Sequence, residues 1–316
     1  MDTIISVNKL RKRFGTFTAV EDISFNVQRG QLFALLGTNG AGKSTTISML
    51  CTLLTPDGGT VEIGGHRLGR EDQAIRRQIG VVFQENVLDP LLTIRENLLT
   101  RARLYGLTGR RLTEAVDAAA AACRLTEYLD RPYGELSGGW RRRADIARAL
   151  VHQPEILFLD EPTTGLDPQT RADVWAQIRA LQNSSGMTVL LTTHYLEEAA
   201  AADDIVIMDH GRIAAHGTPA ALQAQYCTDT LRLTPRPASR QALLAQLAQQ
   251  GLDYDVQEAL VTLTIEHTLA AIPLLASLKD YLESFEVLHG TLNDVFMQIA
   301  RLSRVGTIVR TYSCAK

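Results

Sequence analysis

A chain of 316 residues, 45% hydrophobic and 21% charged, can bury a full core and is long enough for more than one domain. Its net charge of −3 gives no overall attraction to nucleic acid or anionic lipid, and its four cysteines, Cys51, Cys123, Cys227 and Cys314, form no C-x-x-C pair, which argues against a disulfide scaffold or a zinc site. The N-terminal apolar run is short and its basic cluster follows it, unlike a signal peptide; no apolar stretch reaches the roughly 20 residues of a bilayer span, so a membrane role requires a separate partner chain. The basic runs Arg11–Arg13 and Arg141–Arg143 read as solvated faces.

Residues 3–36 alternate short β-rich runs, Ile4–Val7 and Ile23–Val27, with turns, as an antiparallel layer would. Phe14 is an aromatic at the end of one such run. Leu32–Leu36 is apolar throughout and leads into Gly37-Thr38-Asn39-Gly40-Ala41-Gly42-Lys43-Ser44-Thr45, after which Thr46–Leu50 has helical spacing. Strand, glycine-rich loop and helix in that order form a phosphate-binding P-loop: the glycines turn successive N–H groups into one concavity, and the helix adds the positive end of its dipole. Lys43 is positioned for the β- and γ-phosphates of a nucleotide, and the Ser44 hydroxyl for Mg²⁺.

Ile79–Phe83 reads as a buried strand ending at Gln84, and Thr93 to about Leu129 as helical. Leu136-Ser137-Gly138-Gly139-Trp140 leads into another helix, with Ser137 as N-cap and exposed glycine amides forming a second anion site. Glu155-Ile156-Leu157-Phe158-Leu159-Asp160-Glu161 is a strand apolar on both faces that ends in two carboxylates, the pattern of a central parallel strand whose acidic end lies beside the P-loop. Because side chains alternate along a strand, Asp160 and Glu161 are expected to serve different roles: Asp160 in the Mg²⁺ shell through water, Glu161 in polarising the water that attacks the γ-phosphate. Gly165–Pro168 is a turn opening a helix; Met187–Thr193 is a further buried strand ending at His194, placed to hydrogen-bond the γ-phosphate or the water. Ile205–Met208 and Gly211–Ala214 form a terminal hairpin.

The ordered set of Gly37–Thr45, Gln84, Leu136–Trp140, Ile156–Glu161, Gly165–Pro168 and His194 resembles the ATP-binding subunits of ABC transporters, over residues 3 to about 225. The resemblance implies that two copies sandwich two ATP molecules, each held by the P-loop of one copy and by Ser137, Gly138 and Gly139 of the other. It also implies that Phe14 stacks on adenine, that Gln84 senses Mg²⁺ and the membrane subunit, and that Asp167 links the two sites. Trp140 departs from the family, which most often has Gln there. The fold expected is an α/β P-loop ABC ATPase domain, with mixed sheet core, antiparallel β subdomain and helical subdomain, over residues 1–225. Residues 226–301 have a βαββαβ order, the mark of a small α+β ferredoxin-like domain, with strands at Thr230–Leu233, Tyr254–Val256, Leu260–Ile265 and Phe285–Leu288 and helices at Arg240–Gln249, Leu269–Leu282 and Leu292–Arg301; residues 302–316 form a basic tail. Gly290–Phe296 resembles the C-terminal Leu-Glu-Asp-Val-Phe element of the daunorubicin-resistance branch, with Asn293 in place of Glu.

These likenesses imply an ATP-hydrolysing motor of a drug or antibiotic exporter, with ATP and Mg²⁺ as cofactors, a second copy and a separate transmembrane permease as partners, and the cytoplasmic face of the membrane as its place. Coupling is expected through Glu85–Leu92. The alternative is a soluble ABC ATPase acting on ribosomes or DNA; a single ATPase domain without sustained heptads or a broad basic surface disfavours it, and no nucleic-acid partner is expected.

Overall fold

A computed structural model describes residues 2–258 and 260–304, with side chains through Leu302. Two compact units emerge, Met1–Pro219 and Ala220–Lys316. The division falls after the first residue of a helix, Pro219–Tyr226, a few residues before the boundary at 225 expected from the sequence.

The first unit begins with β1 (Thr3–Phe14) and β2 (Phe17–Gln28), which pair antiparallel. The short runs expected here are single long strands. Lys9 and Asp22 sit at φ 50° and 52°, and the pairing register slips between Val7 and Leu10, so bulges break the alternation without ending the strands. β3 (Leu32–Gly37) is buried at every position and passes through the loop into α1 (Lys43–Leu50). Then follow β4 (Gly58–Ile63), β5 (His66–Arg67), α2 (Asp72–Gln78) and β6 (Ile79–Val82). The helical stretch expected from Thr93 to Leu129 is two helices, α3 (Ile94–Leu104) and α4 (Gly109–Ala122), parted at Gly106 and Gly109, both at positive φ. Thr93 and Glu96 close a reciprocal capping box on α3.

The remaining elements of this unit are α5 (Gly138–Leu150), β7 (Ile156–Asp160), α6 (Pro168–Ser185), β8 (Thr188–Thr193), α7 (Leu196–Ala199), β9 (Asp204–Asp209) and β10 (Arg212–Gly217). They complete a six-stranded sheet in the order β10-β9-β3-β8-β7-β6, parallel except for β10, beside a four-stranded antiparallel sheet β2-β1-β4-β5. One apolar core fills the space between them: Ile5, Leu10 and Phe25 from the smaller sheet meet Phe33, Phe158 and Leu190 from the larger, and the Phe25 and Phe33 rings stack at 5.2 Å. Each fully buried side chain of this size contributes about 1.5–3 kcal/mol. In the register, Leu36 aligns with Thr193 and Ile207, Gly37 with Met208, and Asp160 with Thr192, so the C-terminal ends of the parallel strands form one edge.

The second unit holds α8 (Pro219–Tyr226), β11 (Asp229–Pro235), α9 (Arg240–Gln249), β12 (Tyr254–Gln257), β13 (Leu260–Ile265), α10 (Ala271–Leu278), β14 (Leu282–Leu288) and α11 (Leu292–Arg304). Its sheet order, β12-β13-β11-β14 with every pair antiparallel, is that of a split βαβ module. The last strand starts at Leu282 rather than Phe285, because the helix expected through Leu282 ends at Leu278 and a 3₁₀ turn over Lys279–Tyr281 releases the chain. Asp294 accepts hydrogen bonds from the Thr291 amide (2.8 Å) and hydroxyl (2.7 Å), so the Gly290–Phe296 element starts α11 with a local cap; Leu292 and Val295 are buried and Asn293 is exposed. Most of the expected basic tail lies outside the described residues.

Candidate nucleotide site

The P-loop joins the β3 end to α1, and two glycines in it are obligatory. Gly37 has φ 155°, where an added Cβ would lie 2.5 Å from Met208 O; Gly42 has φ 100°, where it would lie 2.4 Å from Ala19 O. Thr38, Asn39 and Gly40 are exposed, Ala41 is buried, and Thr45 is half-buried. Lys43 is 5% exposed; its ammonium donates to Gly37 O at 2.8 Å and Thr38 O at 3.1 Å. Burial pushes that ammonium below its ordinary range, and the charges of Glu161 and Asp160 oppose the shift.

The structure brings the two carboxylates to this loop. Ser44 Oγ donates to Asp160 Oδ1 at 3.5 Å, and Thr192 Oγ1, fully buried, donates to the same oxygen at 2.5 Å. Two hard oxygen groups side by side at the base of a phosphate cradle fit Mg²⁺, which takes few protein ligands and keeps its waters.

One sequence inference needs correction. The strand stops at Asp160, and Glu161 sits at φ 45°, so alternation along a strand does not separate the two acids. The left-handed turn does: it aims Glu161 at His194, with Oε2 3.3 Å from Nδ1, and Thr164 Oγ1 donates to the same Oε2 at 3.1 Å. A non-glycine residue in this conformation costs about 1–2 kcal/mol and persists because neighbours fix it. The Glu161 amide donates to both Thr192 O and Thr192 Oγ1 at 3.1 Å. Thr192 therefore touches both carboxylate residues, a role no motif in the sequence signalled. Buried Glu198 likewise accepts from Thr163 Oγ1 and, at 2.5 Å, from Thr193 Oγ1, tying the turn to the next strand.

Gln84 is exposed just past β6, whose Val82 pairs with Leu159 of β7, which puts it at the same sheet edge. Phe14 is 49% exposed, and its cross-strand partner Phe17, overlooked in the sequence, is 60% exposed; an adenine platform can draw on either ring.

Ser137–Gly139 stand apart. Among the described residues no hydrogen bond or ion pair joins them to the P-loop, Asp160 or Glu161. Ser137 occupies the N-cap of α5, but its side chain makes no capping bond, so the hydroxyl and the first amides stay available. The Trp140 ring stacks on Tyr128 at 4.0 Å, with Arg131 4.9 Å from the Tyr128 ring and Arg143 4.8 Å from the Trp140 ring, cation–π contacts that fasten the start of α5 to the 3₁₀ turn Thr126–Tyr128. Asp167 caps α6 through Thr170, whose hydrogen bonds hold its carboxyl below the usual range.

The run Arg141–Arg143 is not a solvated face. Arg141 donates to Gly134 O at 2.6 Å, Arg142 is 5% exposed, and Arg143 lies 3.8 Å from Asp173, because this turn of α5 packs into the protein and each guanidinium finds an oxygen there. Beside β6 a cavity of about 500 Å³ is lined by Arg76, Arg77, Arg101, Arg148, Phe83 and Tyr105, and none of its lining residues is acidic.

A glycine-rich loop, a lysine and two carboxylates at the edge of a mostly parallel sheet define a P-loop nucleotide-binding domain. Residues 20–164 match the ABC transporter family model. The chain is 38% identical over 304 residues to the daunorubicin resistance ATP-binding protein DrrA3 of Streptomyces coeruleorubidus, covering 94% of this chain and 96% of the relative. It is 40% identical to the daunorubicin/doxorubicin resistance ATP-binding protein DrrA of Streptomyces peucetius (93% and 92% covered), and 45% identical over 217 residues to the Nod factor export ATP-binding protein I of Ralstonia nicotianae (68% and 67%). Among solved structures, cbiO1 of Clostridium perfringens, part of an ABC transporter complex, superposes with a TM-score of 0.66 at 26% identity, covering 79% of this chain and 97% of its own. A dimeric ATP-binding cassette holding ADP and Pi gives 0.61 at 26% identity, covering 68% and 98%. The chain belongs to the family of ABC transporter ATP-binding proteins, and its activity is that of an ATPase.

Proposed function

We propose that this protein is the motor of an exporter: two copies close around two ATP molecules, and hydrolysis drives a separate membrane permease from its cytoplasmic face. The observation that carries this reading is the convergence of Lys43, Ser44, Asp160, Glu161 and His194 on one sheet edge, while Ser137–Gly139 present free donors elsewhere on the chain. Donors that no nucleotide in the same copy uses suit a site completed by a second copy. Lys43 and the P-loop amides bind the phosphates, and Phe14 or Phe17 stacks on the adenine. Ser44, Gln84 and, through water, Asp160 would hold Mg²⁺, which when bound would supply neutralisation of phosphate charge. Glu161 orients and polarises the attacking water, and His194, 3.3 Å from it, contacts the γ-phosphate or that water. Asp167 connects the paired sites. The arginine-lined cavity, which Phe83 just before Gln84 helps to line, offers a cationic face to a cytoplasmic segment of the permease, and coupling runs through residues 85–92. Residues 226–301 are an accessory domain, and the relatives' names, daunorubicin resistance and Nod factor export, favour a drug or a Nod-factor-like molecule as cargo. Among the described residues no helix is long and apolar enough to cross a membrane, which leaves the cargo path to the partner.

Glu161→Gln is the test. It should retain ATP binding, lose turnover and accumulate an ATP-bound dimer on size-exclusion chromatography; hydrolysis at the parent rate would refute the role given to Glu161.

A further inference from the structure

We infer that Arg142 is a positioning residue for ATP hydrolysis, a strut that holds the Glu161 turn in its working geometry and makes that geometry depend on the signature helix α5. The inference rests on the reading of Glu161 as the residue that polarises the attacking water.

The geometry is specific. Arg142 projects from the second turn of α5, one turn beyond Ser137–Gly139, and is 5% exposed. Its three nitrogens each reach a different backbone carbonyl: Nη1 donates to Phe83 O at 2.6 Å, Nη2 to Glu161 O at 3.0 Å, and Nε to Pro162 O. Phe83 immediately precedes Gln84, and the other two carbonyls flank the peptide that follows the hydrolytic carboxylate. One side chain thus spans the signature helix, the strand end before Gln84 and the turn carrying Glu161.

Neither an ion pair nor simple packing accounts for this. Among the described residues no carboxylate lies within hydrogen-bonding reach of the guanidinium, so its buried charge rests on carbonyl dipoles, an arrangement that needs a planar fork with donors in three directions; an ammonium, with all its donors at one point, cannot span the same carbonyls. The Glu161 φ of 45° has two restraints: Thr192 takes the amide from the sheet side, and Arg142 takes the carbonyl from the helix side. Asp145, one turn further along α5 and 1% exposed, anchors the same helix face, accepting from Tyr133 Oη at 3.0 Å. When α5 shifts as a second copy engages its first turn, the Phe83, Glu161 and Pro162 peptides are bound to shift with it. The hydrolytic group in one copy is then set by whether that copy's own signature is occupied.

The test uses the full-length chain with ATP and Mg²⁺, with kcat expressed per ATP-binding site counted by titration. Arg142→Gln should lower kcat about ten- to a hundredfold while KM for ATP stays within about twofold, and Arg142→Lys, which keeps the charge and part of the bonding, should recover part of the loss. A role confined to folding would lower the number of binding sites and leave kcat per site unchanged, and that result overturns the proposal. So does a loss carried by KM alone. Should Arg142→Gln fail to fold, Arg142→Lys decides by the same kcat-against-KM split. Glu161→Gln measured alongside separates the two failures: a parent rate there removes the hydrolytic assignment, whereas a parent rate in Arg142→Gln beside an inactive Glu161→Gln removes the strut alone.

Discussion

Thr192→Val isolates the hydroxyl that sits between Asp160 and Glu161. Valine has the shape of threonine, so the fully buried site keeps its packing and loses only hydrogen bonding. The Glu161 amide retains Thr192 O at 3.1 Å and is not orphaned. Asp160 Oδ1 loses a 2.5 Å donor and keeps only the 3.5 Å contact from Ser44. A hydrogen bond to a charged group contributes about 1.5–3 kcal/mol, so the expected cost is about 2 kcal/mol. For a domain of this size that lowers Tm by about 4–8 °C, read on the unfolding transition that nucleotide raises. Thr192→Ser keeps the hydroxyl and deletes a methyl, at a cost of about 1 kcal/mol, and should fall less. ATP turnover should drop in Thr192→Val and survive in Thr192→Ser. A valine variant that melts with the parent, or a serine variant that melts below the valine one, would refute the hydrogen-bond account.

Two further outcomes follow from local geometry. Gly42→Ala puts a Cβ against Ala19 O, whereas Gly40→Ala, at φ 82° with open space around it, bears only the backbone strain of about 1–2 kcal/mol; ATP titration should show a loss of at least about tenfold for the first and a smaller one for the second, and equal losses would contradict the cradle geometry. Burial pushes the His152 imidazole down to about 4, against one favourable hydrogen bond to Ile79 O at 2.9 Å. The unfolded chain takes up a proton near pH 6.5 that the folded chain refuses, so this contribution is intact above pH 6.5 and is lost as pH falls toward 4, by about 3 kcal/mol in all. The parent should therefore lose Tm more steeply than His152→Gln between pH 7 and 4.5, and parallel slopes would remove His152 as the cause.

How far the sequence reaches depends on the range of the interaction. The strand, loop and helix around Lys43 are legible because an apolar run, fixed glycines and helical spacing act within a few residues. The apolar strand into Asp160 is legible for the same reason. The split βαβ order of the second unit could be read from its alternating periods, although its ends shifted where 3₁₀ turns intervened. The length of β1 and β2 is hidden because bulges near Lys9 in the first and Asp22 in the second interrupt the period that pattern reading relies on.

By itself the sequence determined that a phosphate-binding loop, an acidic strand end and a signature helix occur in this chain in a fixed order, since each is a local choice of residue types. Only the tertiary structure decided how they meet. Glu161 turns left-handed, Thr192 serves both acids from 32 and 31 residues downstream, and Arg142 reaches a carbonyl 59 residues upstream, so that a basic run in the sequence becomes a buried brace. A buried polar group must find its partner wherever folding places one, and that partner carries no mark along the chain.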